Sequence, residues 1–190
     1  KEADLPTAKF CTINRVRMST LNIDEIISTL GLPCFVKPAN LGSSIGISKV
    51  KEKSQLLPAI EEALTYDTKV IIEEFIPGRE IECAVLGNES PIASLPGEVI
   101  PHHEFYSYEA KYLDDNGASF EIPAKIAPAL AQKIQELAIK AYQTLCCEGL
   151  ARVDFFLGVN SEIYLNELNT LPGFTNISMY PKLWQASGIS

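Results

Sequence analysis

Apolar residues recur along this chain in two rhythms, and the two predict different elements. Ile23, Ile26, Ile27 and Leu30 fall at helical spacing, with Asn22 and Glu25 placed as a capping box and Gly31 just beyond, which predicts a helix over 23–30. Leu57, Ile60 and Leu64 repeat that spacing and predict a second helix, capped by Ser54 and running to about residue 66, with Pro58 in its first turn. A third stripe, Leu130, Ile134, Leu137, Ala141 and Leu145, predicts a helix over 127–147 that stops before Gly149. Short apolar or alternating runs predict strands over 33–38, 47–50 and 70–74, and another that carries Ile81, Cys83 and Val85 on one face. Two more strands, 150–157 and 162–168, are joined by a Gly-Val-Asn-Ser connection into a hairpin that runs on into Pro172 and Gly173. Residues 178–186 read as a loop entering a helix that holds Tyr180, Pro181 and Trp184.

Helix and strand pair off between Phe10 and Phe75, which predicts a small α+β subdomain, and Ile76-Pro77-Gly78 then breaks the pattern. The expected division is therefore 10–76 and 77–190, with a hinge at the break. Residues 101–120 show no periodicity but hold Phe105, Tyr106, Tyr108 and Tyr112 around Lys111. A stretch of that length and content is expected to be a lid that orders over a ligand. His102 and His103 lack metal spacing and read as surface residues.

Composition narrows the partners. A chain of 190 residues, 46% hydrophobic and 21% charged, can bury a core in one domain or two small ones. Its net charge of −8 disfavours nucleic acid and anionic membrane, so a polyanionic ligand would need local cations. No apolar run reaches the roughly 20 residues that span a bilayer. The opening KEADLPTAKF lacks the apolar segment of a signal peptide, so a cytoplasmic protein is expected. Of the five cysteines, Cys11, Cys34 and Cys83 sit in apolar runs, Cys146 and Cys147 read as packing at a helix end, and no disulfide is expected.

The candidate chemistry lies in the hairpin and in two earlier loops. Arg152 and Asp154 share one strand face, as do Glu167 and Asn169, and an odd pairing register would put all four on one surface with Val153, Phe155 and Leu157 behind them. Two carboxylates and an amide oxygen are hard donors of the kind Mg²⁺ takes, and Arg152 offers a fork to an oxyanion. A solvated face of mixed charge is the plainer alternative. Lys37 ends a buried strand just before Gly42-Ser-Ser-Ile-Gly46, whose backbone N–H groups, with Ser43 and Ser44, could cradle an anion. The loop is no Walker motif, and a hairpin turn is its plainer reading. At the break between subdomains, Glu73, Glu74 and Ile76 could offer free backbone groups to a base, with Glu80 within reach of a ribose hydroxyl. An exposed strand end is the alternative there.

Arg152-Val-Asp154 followed by Asn166-Glu-Leu-Asn-Thr-Leu-Pro-Gly173 resembles the metal-binding end of ATP-grasp ligases. Val36-Lys37-Pro38, the Gly42–Gly46 loop and Ile72-Glu-Glu-Phe-Ile76 extend the resemblance, and Tyr108-Glu-Ala-Lys-Tyr112 and Thr175-Asn-Ile-Ser-Met-Tyr-Pro181 narrow it to the central and C-terminal part of the D-alanine:D-alanine ligases. It implies an α+β ATP-grasp fold of two α+β subdomains with largely antiparallel sheets and the nucleotide bound between them. It implies ATP with Mg²⁺ or Mn²⁺, phosphorylation of one D-alanine carboxylate, and attack by the amine of a second D-alanine to give a peptidoglycan precursor. Lys37 and Lys111 would meet phosphates, and Ser44, Glu73, Glu74, Ile76 and Glu80 would complete the ATP site. Asp154, Glu167 and Asn169 would hold the metal, and Arg152 would stabilise the tetrahedral oxyanion. Ser43, Ser44 and Tyr112 would gate the acceptor, and Gly173 and Ser178 would bind substrate.

Two departures stand out. The family's amino-terminal domain has no counterpart here, so an absent domain, and a homodimer at full length, are implied partners. A Glu-Lys pair on the family's hinge strand appears here as Glu73-Glu74. The rival readings are another ATP-grasp carboxylate–amine ligase, which would not be expected to carry the Tyr108–Tyr112 motif, and a non-catalytic nucleotide-binding module.

Overall fold

The computed structural model describes residues 3–42, 44–102, 117–175 and 177–190. The chain divides into two compact units, one built on Ala8–Ile76 and the other on Lys1–Thr7, Pro77–Ile100 and Ser119–Ser190.

The first unit runs β1 (Phe10–Asn14), a 3-10 helix (Arg15–Thr20), α1 (Ile23–Leu30), β2 (Cys34–Pro38), β3 (Ser48–Val50), α2 (Lys53–Tyr66) and β4 (Lys69–Glu74). Its strands form an antiparallel sheet in the order β1-β4-β2-β3. Ile26 and Leu30 of α1 and Leu56, Ile60 and Ala63 of α2 pack with Val36, Val50, Val70 and Ile72 in one apolar core. Asn22 caps α1 as expected, its side chain accepting from the Glu25 N–H, and Gly31 ends it at φ +75°.

Helix α2 corrects the sequence reading. Its cap is Glu52, not Ser54: the Glu52 carboxylate accepts from the third helical N–H, and the Gln55 side chain accepts from the Glu52 N–H. The helix therefore begins earlier, Pro58 is its sixth residue rather than a first-turn residue, and one i→i−4 hydrogen bond is lost. Ile60 and Leu64 face inward as expected, joined by Leu56, Ala59 and Ala63, whereas Leu57 is 41% exposed. Two adjacent leucines left the frame open, and the alanines that settle it carry little apolar signal of their own.

The second unit contains β5 (Gly78–Leu86), β6 (Ile92–Ala93), β7 (Gly97–Pro101), β8 (Ala118–Glu121), α3 (Pro128–Thr144), β9 (Leu150–Gly158), β10 (Ile163–Asn169) and α4 (Met179–Ala186). The sheet order is β10-β9-β5-β7-β8, with β6 beside β5. Ile81, Cys83 and Val85 of β5 and Val153, Phe155 and Leu157 of β9 form a buried face covered by Ile134, Leu137, Ala138, Ala141 and Tyr142 of α3. Helix α3 stops at Thr144, so Leu145 and Cys146 are exposed rather than packed as expected. All five thiols are free, and burial pushes that of Cys83 up to about 12. No helix among the described residues is long and apolar enough to cross a membrane.

Gly78 opens β5 directly opposite Gly158 of β9, and a Cβ there would overlap the Leu157 carbonyl. Gly78→Ala is thus expected to cost at least about 2 kcal/mol by forcing two paired strands apart. Urea unfolding of the variant checks this, with an unchanged midpoint counting against so close an approach.

Candidate active site

Strands β9 and β10 pair Ile163 with Leu157, Tyr164 with Phe156 and Leu165 with Phe155, but beyond Leu165 the register slips by one residue. Past this bulge Glu167 stands opposite Asp154 and Asn169 opposite Arg152. Without the slip Asn166 would face Asp154, and Glu167 would turn to the other face. The bulge therefore gathers Arg152, Asp154, Glu167 and Asn169 onto one surface, while Leu168 pairs with the buried Val153 behind them.

Arg152 grips Asp154 with two hydrogen bonds, Nε to Oδ1 and Nη2 to Oδ2, each 2.7 Å. The Asn169 amide nitrogen donates to Asp154 Oδ2 at 3.1 Å and to Glu167 Oε1 at 3.3 Å, bridging the two carboxylates. A residue that sequence reasoning passed over completes the cluster: Glu82 of β5 lies opposite Asp154 on β9 and places Oε2 3.0 Å from Arg152 Nε. Burial alone would drive the Arg152 guanidinium toward its neutral form, but the carboxylates of Asp154, Glu82 and Glu167 outweigh it and raise its pKa. Arg152 is therefore permanently charged. Glu82 was hidden because its tie to Asp154 is a matter of strand register, the two lying 72 positions apart in sequence.

Among the described residues no three His, Cys, Asp or Glu side chains converge as a metal site. A divalent ion would depend on Asp154, Glu167 and the Asn169 amide, and that donor set suits Mg²⁺, which keeps several waters and takes one or two carboxylates. Asn169 would have to present Oδ1, a half-turn of the amide from the orientation seen.

In the first unit Lys37 Nζ pairs with Glu73 Oε2 at 2.7 Å, both side chains about one-fifth exposed. The loop after β2 closes through hydrogen bonds from the Ile45 N–H to the Gly42 carbonyl and from the Ile47 N–H to the Ser44 carbonyl. Ser44 lies at φ +60° and Gly46 at φ +69°, where a Cβ would meet the Tyr66 ring and Pro38.

Just ahead of the loop, Asp67 Oδ2 accepts from the backbone N–H and the side-chain amide of Asn40, at 2.8 and 2.9 Å. Desolvation raises the Asp67 pKa, but hydrogen bonds from Asn40, Lys69 and Thr68 prevail and hold it below the usual carboxylate value. A depressed carboxyl pKa contributes stability above the unfolded value, about 3.9, and loses it as pH falls through the folded value. Asp67→Ala should accordingly destabilise the chain at neutral pH, and the difference from wild type should narrow as pH falls below the unfolded value. Thermal unfolding at pH 7 and pH 3 measures both.

The strand end at Glu73 and Glu74 has a neighbour that the sequence did not predict. The unanticipated strand β1 pairs with β4 on the side away from β2, so β4 is interior to the sheet and Glu73 faces Phe10 on one neighbour and Phe35 on the other. The Glu74 N–H donates to the Lys9 carbonyl at 3.0 Å, and its carboxylate accepts from the Lys9 N–H at 2.7 Å. The Glu74 N–H is thus taken up, and beyond it Phe75 to Pro77 lie outside the strands. Strand β1 escaped notice because only Ile13 of its five residues is buried.

In the second unit Glu80 stands two residues before Glu82 on the same strand, opposite Phe156. Ser178 Oγ accepts from the Thr175 N–H at 3.1 Å and lies where a Cβ on Gly173 would come within 2.8 Å, so these two predicted substrate residues are brought together. Ser43, Lys111 and Tyr112 fall outside the described residues.

The family model described as D-ala D-ala ligase C-terminus matches residues 1–190. The chain belongs to this family. It is 54% identical over 190 residues to the D-alanine--D-alanine ligase of Oceanobacillus iheyensis, and 54% identical over 189 residues to D-alanine--D-alanine ligase A of Escherichia coli, covering 100% of this chain and 52% of each relative. The chain thus spans about half the length of the curated relatives it matches. Among solved structures, the D-alanine-D-alanine ligase of Coxiella burnetii superposes with a TM-score of 0.85 at 40% identity, over 98% of this chain and 49% of that one. The D-Ala:D-Ser ligase VanG of Enterococcus faecalis gives 0.88 at 40% identity, over 100% and 55%. The fold is that of the ATP-grasp ligases, α+β with antiparallel sheets.

Proposed function

We propose that the protein carrying this chain joins two D-alanines into D-alanyl-D-alanine at the expense of ATP, supplying a peptidoglycan precursor. The observation that carries this reading is the bulge-set face of β9 and β10, which unites one fixed cation, two carboxylates and an amide. Phosphoryl transfer and acyl transfer ask little covalent chemistry of a protein and much charge placement. Asp154, Glu167 and Asn169 are assigned to Mg²⁺, which when bound would neutralise charge on the transferring phosphoryl group. Lys37 and the Gly42–Gly46 loop are assigned to phosphate oxygens, Glu80 to the ribose, and Arg152 to the oxyanion of the tetrahedral intermediate. Lys37 would leave Glu73 to do so, trading one anionic partner for another. Gly173 and Ser178 are assigned to a substrate carboxylate, with Ser44, Ser43, Tyr112 and Lys111 taking the acceptor and phosphate roles that the resemblance implies.

The likeness to a D-Ala:D-Ser ligase favours one alternative, in which the second substrate is a different D-amino acid. The test is incubation of the full-length protein with ATP, Mg²⁺ and D-alanine, alone and with D-serine or D-lactate, followed by chromatographic analysis of product and phosphate. D-alanyl-D-alanine in step with phosphate release is expected. Phosphate release with a mixed product would favour the alternative, and neither product nor phosphate would refute both.

A further inference from the structure

Asp154 carries two duties that compete. Both of its oxygens accept from Arg152, yet it is also a carboxylate assigned to a divalent cation. A carboxylate that turns toward a cation loosens its fork with a guanidinium, and a buried arginine so released would lose both charge compensation and position. Glu82, on β5 rather than β9 or β10, also approaches that guanidinium, with Oε2 3.0 Å from Nε and its side chain only 13% exposed. The Arg152 Nε–H is directed at Asp154 Oδ1, so the Glu82 contact is at present an ion pair beside that hydrogen bond. A small rotation of the guanidinium would make Glu82 the acceptor.

We infer that Glu82 is a positioning residue, a standby anchor that keeps Arg152 charged and in place when Asp154 engages a divalent cation. No covalent step is involved: one hydrogen bond passes from Asp154 to Glu82. The inference rests on the assignment of Asp154 and Glu167 to a cation, and it gives Glu82 a role that acts through Arg152.

Hydrogen exchange at Arg152 Nε, followed by nitrogen-resolved NMR of the 190-residue chain with and without Mg²⁺, tests it apart from catalysis. In the wild type, Mg²⁺ should shift the resonances of Glu167 and Asn169 while the Arg152 Nε–H keeps its protection. In Glu82→Ala, protection without Mg²⁺ should change little, since Asp154 still holds the fork, but added Mg²⁺ should speed exchange by at least about tenfold, the effect of losing one charge-assisted hydrogen bond. Glu82→Gln, which keeps the shape and a neutral acceptor, should fall between the two and serves if the alanine variant does not fold. A merely structural role would raise exchange equally with and without Mg²⁺. That result would overturn the inference, as would equal protection in wild type and variant with Mg²⁺ bound. A wild-type chain whose Glu167 and Asn169 signals ignore Mg²⁺ would instead overturn the cation assignment, and this inference with it.

Discussion

Arg152→Ala should cost the chain about 3–5 kcal/mol of folding stability, because it removes a cation that compensates the largely buried carboxylates of Asp154 and Glu82. Asp154 is 9% exposed, and the side chains of Arg152 and Glu82 are 21% and 13% exposed, so water cannot take over the guanidinium's part. Three carboxylates, Glu82 on β5, Asp154 on β9 and Glu167 on β10, would then share adjacent strands without that guanidinium. Arg152→Lys keeps the charge but not the two-pronged grip on Asp154, and its loss should be smaller. Denaturant unfolding of the three proteins gives the order directly. A variant Arg152→Ala as stable as wild type would mean that the cluster is solvated and the charge network has no grip on the fold.

Glu167→Gln is expected to act the other way, sparing stability and removing chemistry. Glu167 is exposed and lies at the rim of the cluster, so an isosteric amide there leaves β10 and its bulge intact. It deletes half of the anionic charge available to a divalent ion. Dipeptide formation by the full-length protein should drop at least about a hundredfold at ordinary Mg²⁺, more than disturbance of a ligand's outer partners would cause. Part of the loss should return at high Mg²⁺ if weakened binding is the cause. Turnover within a few-fold of wild type would remove Glu167 from the metal set.

Where an apolar stripe was long and regular, the sequence was enough. Helix α1, with its cap and its closing glycine, and the buried alternation of Ile81, Cys83 and Val85 needed nothing more. Where burial is one-sided or slight, pattern had little to offer: β1 buries one residue of five, and in the first turns of α2 Leu57 was taken for the inward leucine in place of its neighbour Leu56. Site residues divided along a different line. The alternation of Arg152 with Asp154, and of Glu167 with Asn169, is local and legible. The bulge after Leu165 that brings the two pairs to one face, and the register that sets Glu82 against Asp154, are properties of strand pairing and leave no mark at any fixed spacing. The interior place of β4 at Glu73 was hidden for the same reason, since it depends on a strand that the pattern did not reveal.

The central claim, that these carboxylates and lysines serve a metal-bound nucleotide, is tested most directly by calorimetric titration of the 190-residue chain with ADP at saturating Mg²⁺, repeated in chelator and in Glu167→Gln. One saturable site is expected, weakening at least about tenfold when the metal is removed or its carboxylate neutralised. A chain that binds no nucleotide, or binds it equally well in chelator and in the variant, would contradict it.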